Sequence, residues 1–365
     1  MIGSVRTRVY TVPTGDPDVT EADGTLAWAS TTLDVVEVTA GDSTGVGWTY
    51  GPPACADVVD ATLADVVTGR DPLDVPAAHE AMVRQLRNQG RPGIGAMALS
   101  AVDTALWDLK ARLLGLPLHR LLGAVRDDVP VYGSGGFTTY TDRQLVDQLD
   151  SWCSAGVSAV KIKVGESWGS RQDRDAERVR VARAAVGPDV DVFVDANGAY
   201  TAAGAVRWYD RVREQGVSWF EEPVSSDDLD GLRRVREEVD ADVTAGEYGY
   251  DLTYFARMLD AGAVDCLQVD VSRCGGITEW LRVVAVAASH HVEVSAHCAP
   301  NLHASVAAAT PGLRHVEWFH DHTRIEGLLF HGACTTPRDG AMPLGDAPGN
   351  GLELDVAAGR EYRVR

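Results

Sequence analysis

The sequence predicts an α/β protein: a closed parallel barrel of alternating strands and helices behind a smaller α+β domain. Three observations predict it. First, acidic residues recur at one interval, Asp195, Glu221 and Glu247, with 221 − 195 = 26 and 247 − 221 = 26. Each closes a short apolar run, Val192-Phe193-Val194, Val217-Ser218-Trp219-Phe220 and Val243-Thr244-Ala245-Gly246. About 26 residues is the length of one strand, one helix and two short loops. Second, strand-like runs begin near Val131, Ala159, Val192, Trp219, Val243, Cys266, Val292 and His315, with helical stretches between them. That repeat favours a closed barrel over an open sheet. Third, the stretch before the repeat is patterned differently.

In that first stretch Val5, Thr7, Val9 and Thr11 alternate onto one face of a strand. Leu33–Thr39 and Gly45–Tyr50 read as two more strands, joined by a turn at Gly41-Asp42-Ser43. Between the first two lies Pro13–Ala29, acidic and rich in turn formers, which reads as a mobile loop. Tyr50-Gly51-Pro52-Pro53 is a second loop. Ala96–Leu114 carries Met97, Leu99, Val102, Ala105, Leu106, Leu109 and Leu113 at helical spacing, and Gly115 with Pro117 stops it. Residues 1–125 are thus expected to form the small domain and 126–324 the barrel. Beyond Arg324 the chain turns Gly/Pro-rich, so 325–365 is expected to pack back and complete the small domain. Gly133-Ser134-Gly135-Gly136 lacks the spacing of a dinucleotide-binding turn and reads as a loop.

The chain has 365 residues and a net charge of −20. That surface repels nucleic acid and anionic membranes, so neither is expected as a partner. No apolar run approaches the roughly 20 residues that span a bilayer. Met1–Tyr10 holds two arginines and no apolar core, so no secretory leader is expected. The six cysteines form no C-x-x-C pair, which points to a reducing cytoplasm and structural thiols, Cys298 among them.

Carboxylates at three successive strand ends converge on one face of a barrel. They cannot all stay ionised there without a cation, and oxygen ligands suit a hard divalent ion, Mg²⁺ above all. In Ala159-Val160-Lys161-Ile162-Lys163-Val164 the apolar residues face the helices, so Lys161 and Lys163 point into the barrel mouth. A solvated edge strand would explain two lysines blandly, but a barrel has no edge. Beside a cation and a second ammonium, a lysine such as Lys163 should have a lowered pKa, which suits a general base.

The same alternation puts Asp195 with Asn197, Gln268 with Asp270, and Ser295 with His297. On its own His297 would read as structural. An aspartate on the neighbouring strand can fix its tautomer, so the Asp270–His297 pair reads as catalytic. Glu317 ends strand eight, opposite strand four. Lys163 on strand two and His297 on strand seven then flank the α-carbon of a carboxylate chelated at the metal, one on each face. Glu317, if protonated, could bond the carboxylate oxygen as charge develops.

Several stretches resemble the enolase superfamily in its mandelate racemase subgroup. They are SAVDTALWDLKARLLGLPLHRLLG (Ser100–Gly123), KIKVG, FVDANGAY, WFEEP, TAGE, DCLQVDVSRCGGIT, SAHC and APGNGLELD. The resemblance implies a modified TIM barrel, (β/α)7β, with an N-terminal capping domain whose Pro13–Ala29 and Tyr50 loops cover the site. It implies that Asp195, Glu221 and Glu247 hold Mg²⁺ and that Lys163 is the lysine base, with Lys161 near the substrate carboxylate. The Asp270–His297 pair resembles the second acid/base, Glu317 the group that steadies the enolate, and Asn197 and Glu222 the layer behind the ligands. A homo-oligomer is also expected.

The implied chemistry is abstraction of the α-proton of a small-molecule carboxylate to give a metal-stabilised enediolate. Protonating the β-hydroxyl then gives dehydration to a 2-keto-3-deoxy acid, protonating the α-carbon gives racemisation or epimerisation, and expelling a ring ether gives cycloisomerisation. The acidic loop residues Asp16, Asp18, Glu21 and Asp23 suit a hydroxyl-rich sugar acid, which puts dehydration first. A non-catalytic binding relative would be expected to lack one of these polar residues, and none is missing.

Overall fold

The computed structural model describes residues 1–15 and 20–365, so Asp16 and Asp18 of the acidic loop lie outside it. Ser4–Pro13, Ser30–Ala40 and Ser43–Tyr50 form an antiparallel sheet with Ser30–Ala40 in the middle. The last two pair down to Ala40↔Ser43, so the connection is the two-residue turn Gly41-Asp42, with Gly41 at φ 59°. The helix Ala96–Leu113 lies across this sheet. Gly45 and Gly47 allow that close approach, because a Cβ at either would sit 2.2 Å from Ala105 O or 2.3 Å from Ala101 O. The opposite side of the helix faces the barrel. There Asp103 accepts from Thr278 N and Oγ1 at 2.9 and 2.6 Å, and Trp107 Nε1 donates to Thr278 Oγ1 at 2.9 Å.

The barrel strands are Asp128–Gly135, Ala159–Lys163, Asp191–Asp195, Val217–Glu221, Asp242–Ala245, Cys266–Val269, Glu293–Ala296 and Leu313–Phe319. We number them one to eight. Neighbours are parallel, and strand eight pairs with strand one through Val316↔Val131 and Phe319↔Ser134, so the sheet closes. All eight expected strands are present. One reading is corrected: Gly133-Ser134-Gly135 is not a loop but the end of strand one. The glycine there serves packing, since a Cβ on Gly133 would meet Trp152 at 2.4 Å. Under the mouth the barrel is filled by Tyr132, Ala159, Phe193, Trp219 and Cys266, with Phe193 stacked on Trp219 at 5.2 Å.

Part of Pro13–Ala29 is also ordered, contrary to the loop reading. Glu21–Ala22 pairs with Ala27–Trp28 as a short hairpin. Its turn is tied by Asp23 Oδ1, which accepts from Thr25 N and Leu26 N at 2.5 and 2.7 Å. The hairpin is docked on the barrel mouth: Thr138 N donates to Ala22 O at 2.8 Å and Trp168 N to Gly24 O at 2.9 Å. The C-terminal stretch packs back on the cap, with Asn350 N donating to Asp108 Oδ1 at 2.6 Å and Arg363 bridging to Tyr10. It also touches the barrel, where Ala341–Pro343 pairs antiparallel with strand one. Among the described residues no helix is long and apolar enough to cross a membrane.

Candidate active site

The residues singled out in the sequence meet at the C-terminal mouth of the barrel. Asp195 and Glu221 end strands three and four, and Glu247 follows strand five. All three are buried, and an oxygen of each lies within 4.8 Å of the others. Beside them Asn197 Oδ1 and Glu222 Oε1 are buried without a partner among the described residues. Both residues have positive φ, 46° and 39°, just past their strands. A compact all-oxygen donor set of this charge fits a hard divalent cation. Burial, opposed by Lys161 and reinforced by Asp195, pushes Glu221 up to about 7. Burial also raises Glu222, with the charge of Glu247 adding to it.

Lys161 and Lys163 are buried and point inward as the alternation requires. Lys161 Nζ lies 2.5 Å from Glu221 Oε1, 2.8 Å from Glu317 Oε1 and 3.3 Å from Tyr132 OH. Lys163 Nζ donates to Asp195 Oδ2. The lowering expected for Lys163 supposed a cation beside it. Burial lowers the pKa, but the charge of Asp195 more than reverses this, so it is raised. A direct bond to a buried carboxylate favours the charged ammonium, and a cation held by Asp195 would oppose that effect.

His297 Nδ1 lies 2.9 Å from Asp270 Oδ2, and its Nε2 is 3.2 Å from Glu247 Oε2. Burial lowers the imidazole pKa, but Cys298, the carboxylates of Glu247 and Glu317 and the bond to Asp270 outweigh it and hold it well above its ordinary value. Asp270 is held below the carboxylate range. Burial raises it, while the His297 bond and the Arg273 charge lower it further. Ser272 N and Oγ both donate to Asp270 Oδ1 at 2.7 Å.

Glu317 accepts from Ser134 Oγ at 2.6 Å and from Cys298 N at 2.9 Å, besides meeting Lys161. The protonated Glu317 considered above is not what this arrangement favours. Burial raises its pKa, but Lys161 and His297 bring it well below the usual range. His297, Cys298 and Glu317 also lie close enough to share an ion. The Cys298 thiol is pushed up to about 12 by burial and the charge of Glu317, which leaves it a poor ligand and fits the structural-thiol reading. All six cysteines are free.

Lys163, Asn197, Glu247 and His297 line one cavity of about 630 Å³. The cap supplies the other wall, including Trp28 from the hairpin, Thr31 just after it, and Tyr50 and Pro52 from the second loop. Both loops therefore stand where a cover was expected. Among the lining residues not singled out from the sequence are Arg273, Asp321 and His322. Arg273 had a signal, since it lies three residues past Asp270 and reaches back to 3.5 Å from its Oδ2. Asp321 and His322 had none. They matter through contacts with Trp28 and Tyr50, distant in sequence.

Residues 8–123 match the family described as mandelate racemase / muconate lactonizing enzyme, N-terminal domain, and residues 144–358 match Enolase C-terminal domain-like. The chain is 31% identical to the L-talarate/galactarate dehydratase of Salmonella typhimurium, over 87% of this chain and 78% of that protein. It is also 31% identical to the 3,6-anhydro-alpha-L-galactonate cycloisomerase of Streptomyces coelicolor, over 97% of both. Among solved structures, a mandelate racemase/muconate lactonizing enzyme-like protein from Rubrobacter xylanophilus superposes with a TM-score of 0.95 at 47% identity, covering 100% of this chain and 99% of that one. A racemase from Streptomyces coelicolor with bound magnesium superposes with a TM-score of 0.91 at 30% identity, covering 100% of both. A capped, closed barrel with carboxylates at three successive strand ends, matched in both of its parts, places this chain in the enolase superfamily, among the mandelate racemase/muconate lactonizing enzymes.

Proposed function

We propose that this chain is a Mg²⁺-dependent enzyme that removes the α-proton of a sugar acid and expels the β-hydroxyl as water, giving a 2-keto-3-deoxy acid. The observation that carries this reading is one cavity lined by both Lys163 and His297, beside the three clustered carboxylates. Asp195, Glu221 and Glu247 would hold the cation, with Asn197 and Glu222 behind them. Bound there, Mg²⁺ would take up charge from the substrate carboxylate and so acidify the α C–H. Lys163 Nζ, once deprotonated, accepts the α-proton. His297 delivers a proton from Nε2 to the departing β-hydroxyl, while Asp270 holds Nδ1 and fixes the ring. Hydroxide is a poor leaving group, and an imidazole of raised pKa is charged at neutral pH and able to protonate it. Lys161 would bind the substrate carboxylate from strand two, and Glu317, opposite, would hold Lys161 in place. One proton goes to Lys163, one comes from His297, and the resulting enol ketonises.

A second reading, cycloisomerisation of an anhydro sugar acid, is favoured by the similarity to the Streptomyces coelicolor cycloisomerase over nearly the whole of both chains. It uses the same first step and directs the second proton to a ring ether. Incubation with Mg²⁺ and a panel of sugar acids in D₂O tests both. Dehydration gives a 2-keto product that forms a semicarbazone, whereas a ring-opened isomer of unchanged mass decides for the cycloisomerase. An inverted C2 at unchanged mass decides for an epimerase. Absence of α-deuterium and of any product with every acid would overturn the proposal.

We further propose that residues 1–125 with 325–365 form the cap and 126–324 the barrel, that the protein is a homo-oligomer, and that it works in the cytoplasm. The family matches at 8–123 and 144–358 support the division, and the six free cysteines support a reducing compartment.

A further inference from the structure

The charges around the cavity are unevenly placed. Its lining holds two basic side chains, Lys163 and Arg273. Both are committed to the strand-end carboxylates. Lys163 bonds Asp195, and Arg273 Nη1 donates to Glu247 O and Oε1 at 3.2 and 3.3 Å. The opposite wall is built by the cap and by the start of the helix His320–Leu329. Among the described residues of that wall there is no lysine or arginine, and its acidic members are Asp23 and Asp321. Asp321 Oδ2 accepts from Trp28 Nε1 at 3.0 Å and from Thr31 Oγ1 at 3.1 Å. Arg324 is not among the residues that line the cavity. Its Nη2 donates to Pro13 O at 2.6 Å and lies 3.6 Å from Asp321. A second carboxylate brought to this wall would lose water, meet Asp321 and find no cation among the lining residues there.

What the wall does offer is a neutral donor. Ala299 N donates to His322 Nδ1 at 3.1 Å, so that nitrogen carries a lone pair and the ring proton sits on Nε2. The ring is held by stacking on Tyr50, with centroids 3.4 Å apart at 6°, and by the edge of Phe319 at 5.1 Å. Burial and the charge of His297 keep its pKa well below the ordinary value, so it stays uncharged. The ring lines the cavity, and its Nε2–H has no partner among the described residues.

We infer that the substrate carries a single carboxylate and that its other end is neutral and oxygen-rich, read by the Nε2–H of His322. Such a substrate is a sugar acid with one acid group, ending in hydroxyls or in a closed ring, and not a diacid. This rests on the sugar-acid reading above and narrows it.

Matched pairs test it: a C6 or C5 mono-acid and the diacid of the same ring-carbon configuration, with the full chain in Mg²⁺. Binding is read by calorimetry and turnover as kcat/KM. The best mono-acid should bind about ten-fold or more tighter than its diacid, the penalty expected for an unpaired buried charge. Equal or tighter binding of the diacid, or binding of neither, overturns the inference. Deuterium exchange in D₂O separates this from the parent reading, because exchange with a preferred diacid leaves the α-proton chemistry standing and removes only the single-carboxylate claim. His322→Phe keeps the stacked ring and removes the Nε2–H donor, together with the Nδ1 acceptor of Ala299 N. It should raise KM for the full-length mono-acid about five-fold, as loss of one neutral hydrogen bond does, with kcat little changed. KM for glycerate, which lacks the far end, should stay as it is. An equal rise for both acids would mark His322 as structural and overturn its assignment. The pair comparison needs no variant, so it decides even where His322→Phe fails to fold.

Discussion

Lys161 and Glu317 face each other from strands two and eight, with Nζ 2.8 Å from Oε1, and the same ammonium reaches Glu221 on strand four at 2.5 Å. One buried cation therefore ties opposite sides of the barrel together. Lys161→Met should leave two buried carboxylates facing each other. Breaking a buried pair costs about 3–5 kcal/mol, and denaturant titration should show a loss of that size along with loss of activity. The double variant Lys161→Met/Glu317→Gln removes one of the stranded charges, so it should regain part of the stability and none of the activity. If the single and double variants were equally unstable, the bridge would not be what couples these strands.

Added Mg²⁺ should raise the melting temperature, because a ligand that binds only the folded state stabilises it by mass action. Three clustered carboxylates carry this expectation. Glu221→Gln should weaken both the thermal shift and turnover. Prolonged chelation should reduce wild-type activity to that of the blank, and full activity in stripped protein would contradict the metal assignment.

Lys163→Ala and His297→Asn should each abolish net turnover, since loss of a positioned acid or base costs about 10²–10⁴-fold. They should differ in exchange. His297→Asn keeps the lysine base, so it should still wash deuterium into the α-position in D₂O. Lys163→Ala should lose that exchange for any substrate whose α-proton faces strand two. Wild-type turnover in either variant would remove that residue from the mechanism.

The barrel was legible because its strands are short apolar runs at even spacing, and a period of two fixes which side chains face inward. That logic places Lys161, Lys163, Asp195 and Glu221 in the interior, where they lie. It misread Gly133–Gly135, because glycine signals a turn and a close approach with the same letter, and here Trp152 occupies the space. It did not show the direct bond from Lys163 to Asp195, because alternation fixes a side chain's face and not its partner. The cap-side wall was not legible. Asp321, His322 and the hairpin at Glu21–Trp28 owe their positions to partners far along the chain, such as Trp28 Nε1 on Asp321 and Tyr50 against His322.

The hairpin should make stability depend on pH. Glu21 is buried at its base, and burial together with the charge of Asp321 pushes its pKa from 4.5 up to about 9. A carboxyl whose folded pKa is raised contributes stability that is fully present below the unfolded value. That stability is lost as pH rises through the window up to about 9, because the unfolded chain releases the proton first. Within the window the slope is about −1.4 kcal/mol per pH unit for one such group. Glu21→Gln cannot ionise. Relative to this variant, the wild type should therefore lose stability steadily across the window and level off above it. Other raised groups, such as Glu326 at about 7 and Asp34 at about 7, slope the same way but are common to both proteins and cancel in the difference. Denaturant midpoints of the two proteins, taken side by side from neutral to alkaline pH, give the measurement. Limited proteolysis should find the hairpin more readily cut in the wild type above pH 9 than in Glu21→Gln. Parallel pH profiles for the two proteins would show that Glu21 is not held protonated and that its carboxyl does not fasten the hairpin.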